Sequence, residues 1–189
     1  RTRGAEPAVR KLLDEVRAAA GRPLTEAGLI TQLLQWLDED KKITPLKTLQ
    51  GMIWEAGYRQ GDFTEHVYEN AMRNLRRWKA QGIHLYVFSS GSVQAQHLLF
   101  ANSDYGDLTP LFSGSFDTAI GAKRDAAAYK KIAAAIAVAP SHVLFLSDIA
   151  EELDAAKAAG MRTVCLRRGA IPQLYAGHVE AEDFDAIKV

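Results

Sequence analysis

The sequence predicts an α/β protein in which a wholly helical segment precedes an alternation of strands and helices. Residues 1–63 contain apolar residues at helical spacing and no alternating run of the β type. From residue 64 onward, short runs of β-branched, aliphatic and aromatic residues alternate with helical segments. That order is typical of βαβ units, which build a parallel sheet with right-handed crossovers. We therefore expect a small helical domain over residues 1–63 and an α/β domain over residues 64–189.

Three helices are expected in the first of these domains. The first covers Pro7 to Ala20, and the second follows Thr25, a good N-cap residue. One apolar face of the second helix is predicted from the spacing of four residues, Ile30, Leu33, Leu34 and Leu37. The third helix is expected to start at Thr44-Pro45, because proline is favoured in a first turn, and to end near Gly57.

The second domain is predicted to contain the strands that form a sheet. In chain order its elements are a helix ending at Gly82, a strand at Leu85–Phe88, a helix from Val93 to about Ala101, a short strand at Ser115–Thr118, a helix at Lys123–Ala137, a strand at His142–Leu146, a helix at about Ile149–Ala159 and a strand at Arg162–Leu166.

The composition excludes several classes of protein. The 189 residues are 48% hydrophobic, which is ordinary for a globular protein, and 23 basic residues balance 23 acidic ones. A formal net charge of zero provides no overall field for nucleic acid or an anionic membrane, so neither is expected as a partner. The longest clean apolar run, residues 132–139, is too short to span a bilayer. The single cysteine, Cys165, is expected to be a small buried apolar residue, and we expect a cytoplasmic monomer.

The most informative segment is the end of the strand at Leu85–Phe88. The strand is followed directly by Ser89-Ser90-Gly91-Ser92, and helical sequence resumes at Val93. Hydroxyls and backbone N–H groups at the start of a helix favour an anion such as phosphate. A serine that only caps the helix is the competing interpretation.

Two further segments bear on a phosphate site. Asp148 follows the strand before it, at the sheet edge where open parallel sheets bind ligands, and its carboxylate could ligate Mg²⁺ or cap the next helix. Glu152, four residues later, is a weaker candidate ligand, because acidic residues are common in a first turn for dipole reasons alone. Lys123 is predicted to lie in the first turn of a helix, where a cation opposes the helix dipole; pairing with phosphate would explain it there.

Together these segments resemble the second, third and fourth motifs of the haloacid dehalogenase superfamily, and most closely its enolase-phosphatases of methionine salvage. The similarity covers roughly residues 32 to 166. The segments that carry it are Leu46 to Tyr58, Tyr86 to Gln96, Gly106 to Gly114, Phe116 to Thr118, and Leu144 to Ala156. The resemblance implies a doubly wound parallel sheet, with residues 1–63 as an all-helical cap domain.

The resemblance also implies an activity. Such enzymes use Mg²⁺ to enolise 2,3-diketo-5-methylthiopentyl 1-phosphate and then remove its phosphate, which yields an acireductone. It implies that Ser89, Ser90 and Gly91 bind phosphate and substrate, that Lys123 holds phosphate and nucleophile, and that Asp148 ligates Mg²⁺. Two alternatives stay open: a related phosphatase for another small phosphorylated metabolite, and a non-catalytic module that binds phosphate esters.

The sequence departs from the family pattern at the nucleophile. The family's first strand ends in Asp-x-Glu-Gly-Thr, and no such segment occurs here. We therefore expect the parent protein to carry an N-terminal strand that the given sequence lacks. Ala122 also stands where the family usually has proline beside the lysine.

The remaining aromatic and histidine residues are expected to be structural. Trp36, Trp54 and Trp78 are predicted to pack in cores, although Trp54 could instead shield the methylthio tail of a substrate. Among the histidines, we expect His66, His97 and His178 at the surface and His84 and His142 at strand ends.

Overall fold

A computed structural model describes residues 3–39, 41, 43–60, 64–169 and 177–189. The chain divides into two compact units, Arg1–Phe63 and Thr64–Val189. Within the described ranges, no helix combines the length and the apolar character that crossing a membrane would require.

In its described residues, the first unit contains three α-helices around one small core. They are α1 (Pro7–Ala20), α2 (Glu26–Asp38) and α3 (Thr44–Gln60). Thr25 caps α2, because its side chain accepts a hydrogen bond from the amide of Gly28 at 3.2 Å. The core residues of the three helices are Val16, Leu29, Trp36 and Leu46.

The predicted apolar face of α2 is wrong in its orientation. Ile30, Leu34 and Leu37 are 61%, 55% and 49% exposed, while Leu29 and Trp36 are buried and Leu33 packs against the same core. The buried residues therefore follow a stripe one position earlier along the helix, at i, i+4 and i+7. Because both faces of α2 are apolar, periodicity alone did not distinguish them.

The second unit is an α/β fold with parallel strand pairing. Its elements are α4 (Glu69–Ala80), β1 (Leu85–Phe88), α5 (Val93–Ala101), β2 (Phe112–Phe116), α6 (Ala126–Ala135), β3 (Leu144–Ser147), α7 (Ala150–Ala158), β4 (Arg162–Leu166) and β5 (Val179–Ala181). The strands of the described chain pair in parallel: β1 with β2, and β4 between β3 and β5. The predicted α/β class is confirmed, with β2 starting three residues earlier and β3 two residues later than predicted.

Helices cover both faces of the strands. Alternate side chains of β3 point to opposite faces: Phe145 packs with Tyr129 of α6 and with α7, whereas Leu144 and Leu146 pack with Trp78 of α4. Burial on both faces explains the nearly continuous apolar sequence of these strands.

The strands form two groups whose backbones are not joined within the described chain. No ladder links β1 to β3, yet residues of both strands contribute to the same two apolar clusters. Phe88 of β1 and Phe145 of β3 each pack against Tyr129, with ring centroids 5.5 and 5.0 Å away. The Tyr129 ring therefore contacts side chains of both strands on the face that α6 and α7 cover.

Candidate active site

Hydrogen bonds of Ser89 and Ser92 fix the conformation of the loop after β1. The amide of Ser89 donates to the carbonyl of Phe116 at 3.1 Å, which continues the pairing of β1 with β2 by one residue. The Ser89 hydroxyl oxygen accepts a hydrogen bond from the amide of Gly91 at 3.2 Å. Ser92 is the N-cap of α5 and accepts from the amide of Ala95 at 3.2 Å. The capping role thus belongs to Ser92, and Ser89 and Ser90 precede the cap.

The start of α5 is less open to an anion than its sequence indicates. Asp117, which follows β2, accepts a hydrogen bond from the amide of Val93 at 3.2 Å and another from Ala119 at 2.9 Å. A carboxylate from this chain therefore already occupies part of the helix N-terminus. The amides of Val93 and Ala95 already donate to side chains of this chain, so they are not available to a phosphate. Asp117 was missed because its position beside α5 depends on the pairing of β1 with β2.

Gln96 holds the β1–α5 loop against the end of β2. Its side chain is buried, and its Nε2 donates to the carbonyls of Gly91 at 2.9 Å and Phe116 at 2.8 Å. Within the part of the chain that the structure describes, its Oε1 has no hydrogen-bond partner. A glutamine inside the apolar helix sequence VQAQHLLFA is the signal that could have identified this residue.

Asp148 follows β3 directly, as the sequence predicts. It is exposed, and it does not cap α7, whose N-cap is Ile149 with no side-chain cap. The local turn is instead made by Ser147, whose hydroxyl oxygen accepts from the amide of Ile149 at 3.1 Å. Of the two roles considered for Asp148, capping is excluded by this geometry.

Glu152 connects the end of β3 to the lysine. The Ser147 hydroxyl donates to Glu152 Oε2 at 2.9 Å, and the same oxygen lies 2.8 Å from Lys123 Nζ. Glu152 is buried, with only 11% of its side chain exposed, and the Lys123 side chain is 24% exposed. A buried carboxylate needs a positive partner or several donors, and Glu152 has both kinds. Ser147 was missed because its function depends on the turn that brings Glu152 back over the strand end.

Lys123 lies in the loop before α6 and not in its first turn. Helix α6 starts at Ala126, and Asp125 caps it by accepting from the amide of Ala127 at 2.9 Å. The argument from an unfavourable helix dipole is therefore wrong for Lys123. The lysine is held by its contacts with Glu152 and by the hydroxyl of Tyr129, which donates to the Lys123 carbonyl oxygen at 2.6 Å.

The loop that carries Lys123 passes close to α6 at Gly121. This residue has a φ of +149°, and a Cβ added there would lie 2.9 Å from the Cβ of Ala128. Only glycine allows both the backbone conformation and the approach. The turn that brings Lys123 toward the sheet therefore depends on Gly121.

Lys123 and Glu152 lie near the ends of β1 and β3. Lys123 Nζ lies 5.8 Å from the ring centroid of Phe88, the residue before Ser89. It also pairs with Glu152, which is bonded to Ser147, the residue before Asp148. The cation is thus adjacent to the residues that precede both predicted ligand segments.

The donor set fits a magnesium ion that receives part of its coordination from water and substrate. In the part of the chain that is described, no group of three or more histidine, cysteine or acidic side chains forms a ready metal site. Mg²⁺ is commonly held by one or two carboxylates with waters and substrate phosphate. Asp148 is an exposed carboxylate directly after the carboxyl end of β3, where open parallel sheets bind ligands, so the residues present fit such an ion.

Two residues outside this region, His178 and Trp54, differ from their predicted roles, and Cys165 agrees with its prediction. The His178 side chain is only 2% exposed, and it bridges Thr163 at 2.8 Å and Asp154 at 3.0 Å, so the surface prediction is wrong. Trp54 is 44% exposed, which contradicts core packing. Cys165 is fully buried as predicted, and burial raises the pKa of its thiol.

A cavity of about 550 Å³ lies near the starting ends of β3 and β4. Leu144, Arg162 and Val179, the first residues of β3, β4 and β5, line it. It contains none of the predicted site residues. Its lining includes the cations Lys157, Arg162 and Lys188, whereas the Lys123–Glu152 ion pair lies near the ends of β1 and β3.

Comparison with known proteins identifies the family. A family model described as haloacid dehalogenase-like hydrolase matches residues 4–160. The chain belongs to this family. Enolase-phosphatase E1 of Thioalkalivibrio sulfidiphilus is 53% identical over 181 residues, which cover 96% of this chain and 81% of that protein. The protein of the same name from Methylococcus capsulatus is 55% identical over 182 residues, covering 95% and 79%.

Solved structures agree with this assignment. The UTR4 protein of Saccharomyces cerevisiae is 30% identical, with a TM-score of 0.83 over 99% of this chain and 84% of that one. CbbY of Rhodobacter sphaeroides, solved with xylulose-(1,5)bisphosphate, is 19% identical with a TM-score of 0.59, covering 93% and 86%; it supports the fold alone. The family resemblance, the fold class and the prediction of a phosphatase enzyme are confirmed.

Proposed function

We propose that this haloacid dehalogenase-like phosphatase is a Mg²⁺-dependent enolase-phosphatase of methionine salvage. Its substrate would be 2,3-diketo-5-methylthiopentyl 1-phosphate, and its products 1,2-dihydroxy-3-keto-5-methylthiopentene and phosphate. The observation that carries this proposal is the position of Lys123, a cation paired with buried Glu152 beside the ends of β1 and β3. Relatives named Enolase-phosphatase E1, more than 50% identical over nearly the whole chain, support the choice of substrate.

The phosphate would be bound by groups from both sides of the lysine. Ser89 and Ser90 follow β1 and offer hydroxyls, and Gly91 allows the loop to approach an oxygen closely. Lys123 would neutralise charge on the phosphoryl oxygens, which is where charge builds up during transfer. Because Glu152 holds the ammonium in advance, little reorganisation would be needed when the substrate binds.

Magnesium would be held by Asp148. One oxygen of Glu152 is already bonded to Lys123 and Ser147, so we propose that Glu152 mainly orients the lysine and contributes to the metal only as a secondary group. When bound, the ion would supply a further positive charge at the phosphoryl oxygens.

The attacking carboxylate would come from a strand between β1 and β3. The two strands share apolar clusters without backbone pairing in the described chain, and this supports the proposal of one more parallel strand between them. The carboxyl end of such a strand would lie beside Lys123 and Asp148. Its aspartate would attack phosphorus and break the bond to the substrate oxygen, and water would then hydrolyse the aspartyl-phosphate.

Two properties complete the proposal. We propose a monomer acting on a small phosphorylated metabolite. We also propose a cytoplasmic location, since the chain has one cysteine and that residue is buried.

The test is an assay of phosphate release by the full-length enzyme. The proposed substrate and several other phosphomonoesters would be compared with Mg²⁺ present and after chelation. We expect the diketo substrate to have the highest kcat/KM and chelation to abolish turnover. A higher kcat/KM for another phosphorylated metabolite would contradict the proposed substrate. Tight binding of phosphate esters without turnover would favour a binding module.

A matched pair of serine variants tests the phosphate site. Ser89→Ala should raise the KM for substrate, because it removes a hydroxyl beside the phosphate position. Ser92→Ala removes the cap of α5 and should cost about 1 kcal/mol of stability while leaving KM unchanged. Unchanged kinetics for Ser89→Ala would remove that residue from the site.

A further inference from the structure

Tyr129 is a buried tyrosine for which the proposed function has no role. It lies on α6, is 1% exposed, and its ring packs edge-on against Phe88 and Phe145. Its hydroxyl donates a 2.6 Å hydrogen bond to the carbonyl oxygen of Lys123. A single side chain thus contacts β1, β3 and the backbone of the lysine.

The hydroxyl is suited to be a permanent donor. Burial raises the pKa of the Tyr129 phenol, and the nearby negative charge of Glu152 raises it further. A free phenol ionises near pH 10, so a group with a raised pKa is a hydrogen-bond donor at neutral pH.

The ring determines where the hydroxyl is placed. Two edge-on aromatic contacts, each about 5 Å between centroids, prevent the tyrosine from rotating in its pocket. Phe88 immediately precedes Ser89, and Phe145 lies two residues before Ser147. The hydroxyl is consequently positioned relative to both strand ends.

We propose that Tyr129 is a positioning residue for phosphate binding. By fixing the main chain of Lys123, it keeps the ammonium beside Glu152 and between the two strand ends. The inference rests on the proposed function, because it assumes that Lys123 binds phosphate. This bond joins the main chain of Lys123 to the aromatic cluster that includes Phe88 of β1 and Phe145 of β3.

The experiment compares three variants of the full-length enzyme: Tyr129→Phe, Tyr105→Phe and Lys123→Ala. Inorganic phosphate is used both as a calorimetric ligand and as a competitive inhibitor. Tyr129→Phe keeps the buried ring and removes only the hydroxyl. It should weaken phosphate binding and raise KM by about three- to tenfold, the effect of one lost hydrogen bond. Because the lysine contacts phosphate before and during transfer, kcat should change less than KM.

The controls separate this role from a structural one. Tyr105 is 36% exposed in a loop, and Tyr105→Phe should change neither stability nor phosphate binding. A double variant, Tyr129→Phe with Lys123→Ala, should bind phosphate no more weakly than Lys123→Ala alone. Thermal unfolding of each variant shows whether it is folded at the assay temperature.

The possible failures are distinguishable. If Lys123→Ala loses phosphate binding but Tyr129→Phe binds like the parent, the positioning role is wrong and the proposed function stands. If Lys123→Ala binds phosphate normally, the proposed function fails whatever Tyr129→Phe does. If Tyr129→Phe only lowers the melting temperature, with KM and phosphate affinity unchanged, the tyrosine is structural.

Discussion

Glu152 determines the electrostatics of the candidate site. Its carboxylate is buried, accepts from Ser147 and pairs with Lys123, so the cation is held before any phosphate arrives. A lysine alone would be a mobile and strongly hydrated charge. The pair therefore converts a flexible side chain into a fixed point of positive charge.

Glu152→Gln is expected to lower both stability and activity. The amide keeps the shape and a hydrogen bond to Ser147 but removes the negative partner of a half-buried ammonium. We expect a loss of about 1–3 kcal/mol in the free energy of unfolding, measured by denaturant titration, and a clear fall in kcat/KM. Glu151→Gln, one residue earlier and exposed, is the matched control and should change neither quantity. Equal effects of the two variants would contradict the role given to Glu152.

Gly121→Ala should disturb the lysine loop. The new Cβ would lie 2.9 Å from that of Ala128, at a φ that L residues rarely adopt. Calorimetric melting should show a loss of about 1–3 kcal/mol, with weaker phosphate binding as the loop moves. Gly51→Ala, in helix α3 with no atom near the added Cβ, should instead be neutral or stabilising. A Gly121→Ala variant as stable as the parent would show that the close approach is relieved elsewhere.

At the scale of elements, the C-terminal turn is bound to α4 by a group of polar contacts. Asp185 accepts hydrogen bonds from Arg73 at 2.5 Å and Asn74 at 2.6 Å, and Asp183 accepts from Asn70 at 3.2 Å. The bond from Arg73, and then that from Asn74, hold the pKa of Asp185 below its usual range. This turn therefore depends on an ionised carboxylate.

The sign of the pH dependence follows from that lowered pKa. Asp185 stabilises the fold fully above the pKa of an unfolded aspartate, about pH 4, and this contribution is lost as the pH falls through the folded-state value. Asp185→Asn should lower the melting temperature at neutral pH, and its difference from the parent should shrink below about pH 4. Glu182→Gln, at an exposed neighbour, should show no such difference. A constant difference down to low pH would mean that Asp185 acts through its shape and not its charge.

The order and type of most elements could be predicted from the sequence, whereas several boundaries and faces could not. Leu85–Phe88 and Arg162–Leu166 were predicted with the bounds that the structure has, because short apolar runs between turn residues indicate buried strands. The start of α6 was placed at Lys123 and not at Ala126, since Asp125 as a cap competes with continuous helical propensity. His178 was placed at the surface because its partners, Thr163 and Asp154, are distant in sequence.

For the candidate site, too, the sequence predicted which residues matter but not which residues they contact. Ser89, Lys123, Asp148 and Glu152 were selected from the sequence, but their contacts were not. Ser147, Gln96 and Tyr129 are ordinary residues within their own segments. Their roles depend on which turns and strands lie side by side, and that information is tertiary.

At the scale of the whole molecule, the absence of pairing between β1 and β3 in the described chain has the largest consequence. Alternate residues of a strand direct their amides to opposite sides. Since the amide of Ser89 bonds to Phe116 of β2, those of Tyr86 and Phe88 face away from β2. By the same alternation, the carbonyl of Val143 bonds to β4, so the amides of Leu144 and Leu146 face away from β4.

Hydrogen exchange can therefore detect a strand in that position. In the 189-residue chain by itself, we expect faster exchange at Tyr86, Phe88, Leu144 and Leu146 than at their neighbours Val87 and Phe145. When a strand occupies the position, all six amides should be protected. Protection of all six in the 189-residue chain would show that the two edges pair in another way, and the proposed strand would lose its place.

Because Cys165 is buried, the reactivity of its thiol can report local unfolding of the sheet around β4. The thiol has no exposed surface and lies on β4, the middle strand of its group. A disulfide reagent added to the folded protein can react only when this strand loses its cover, and with one cysteine in the chain each modification event has one origin. The rate at which such a reagent releases its chromophore would thus measure, without an introduced label, how often the strands around β4 unfold locally.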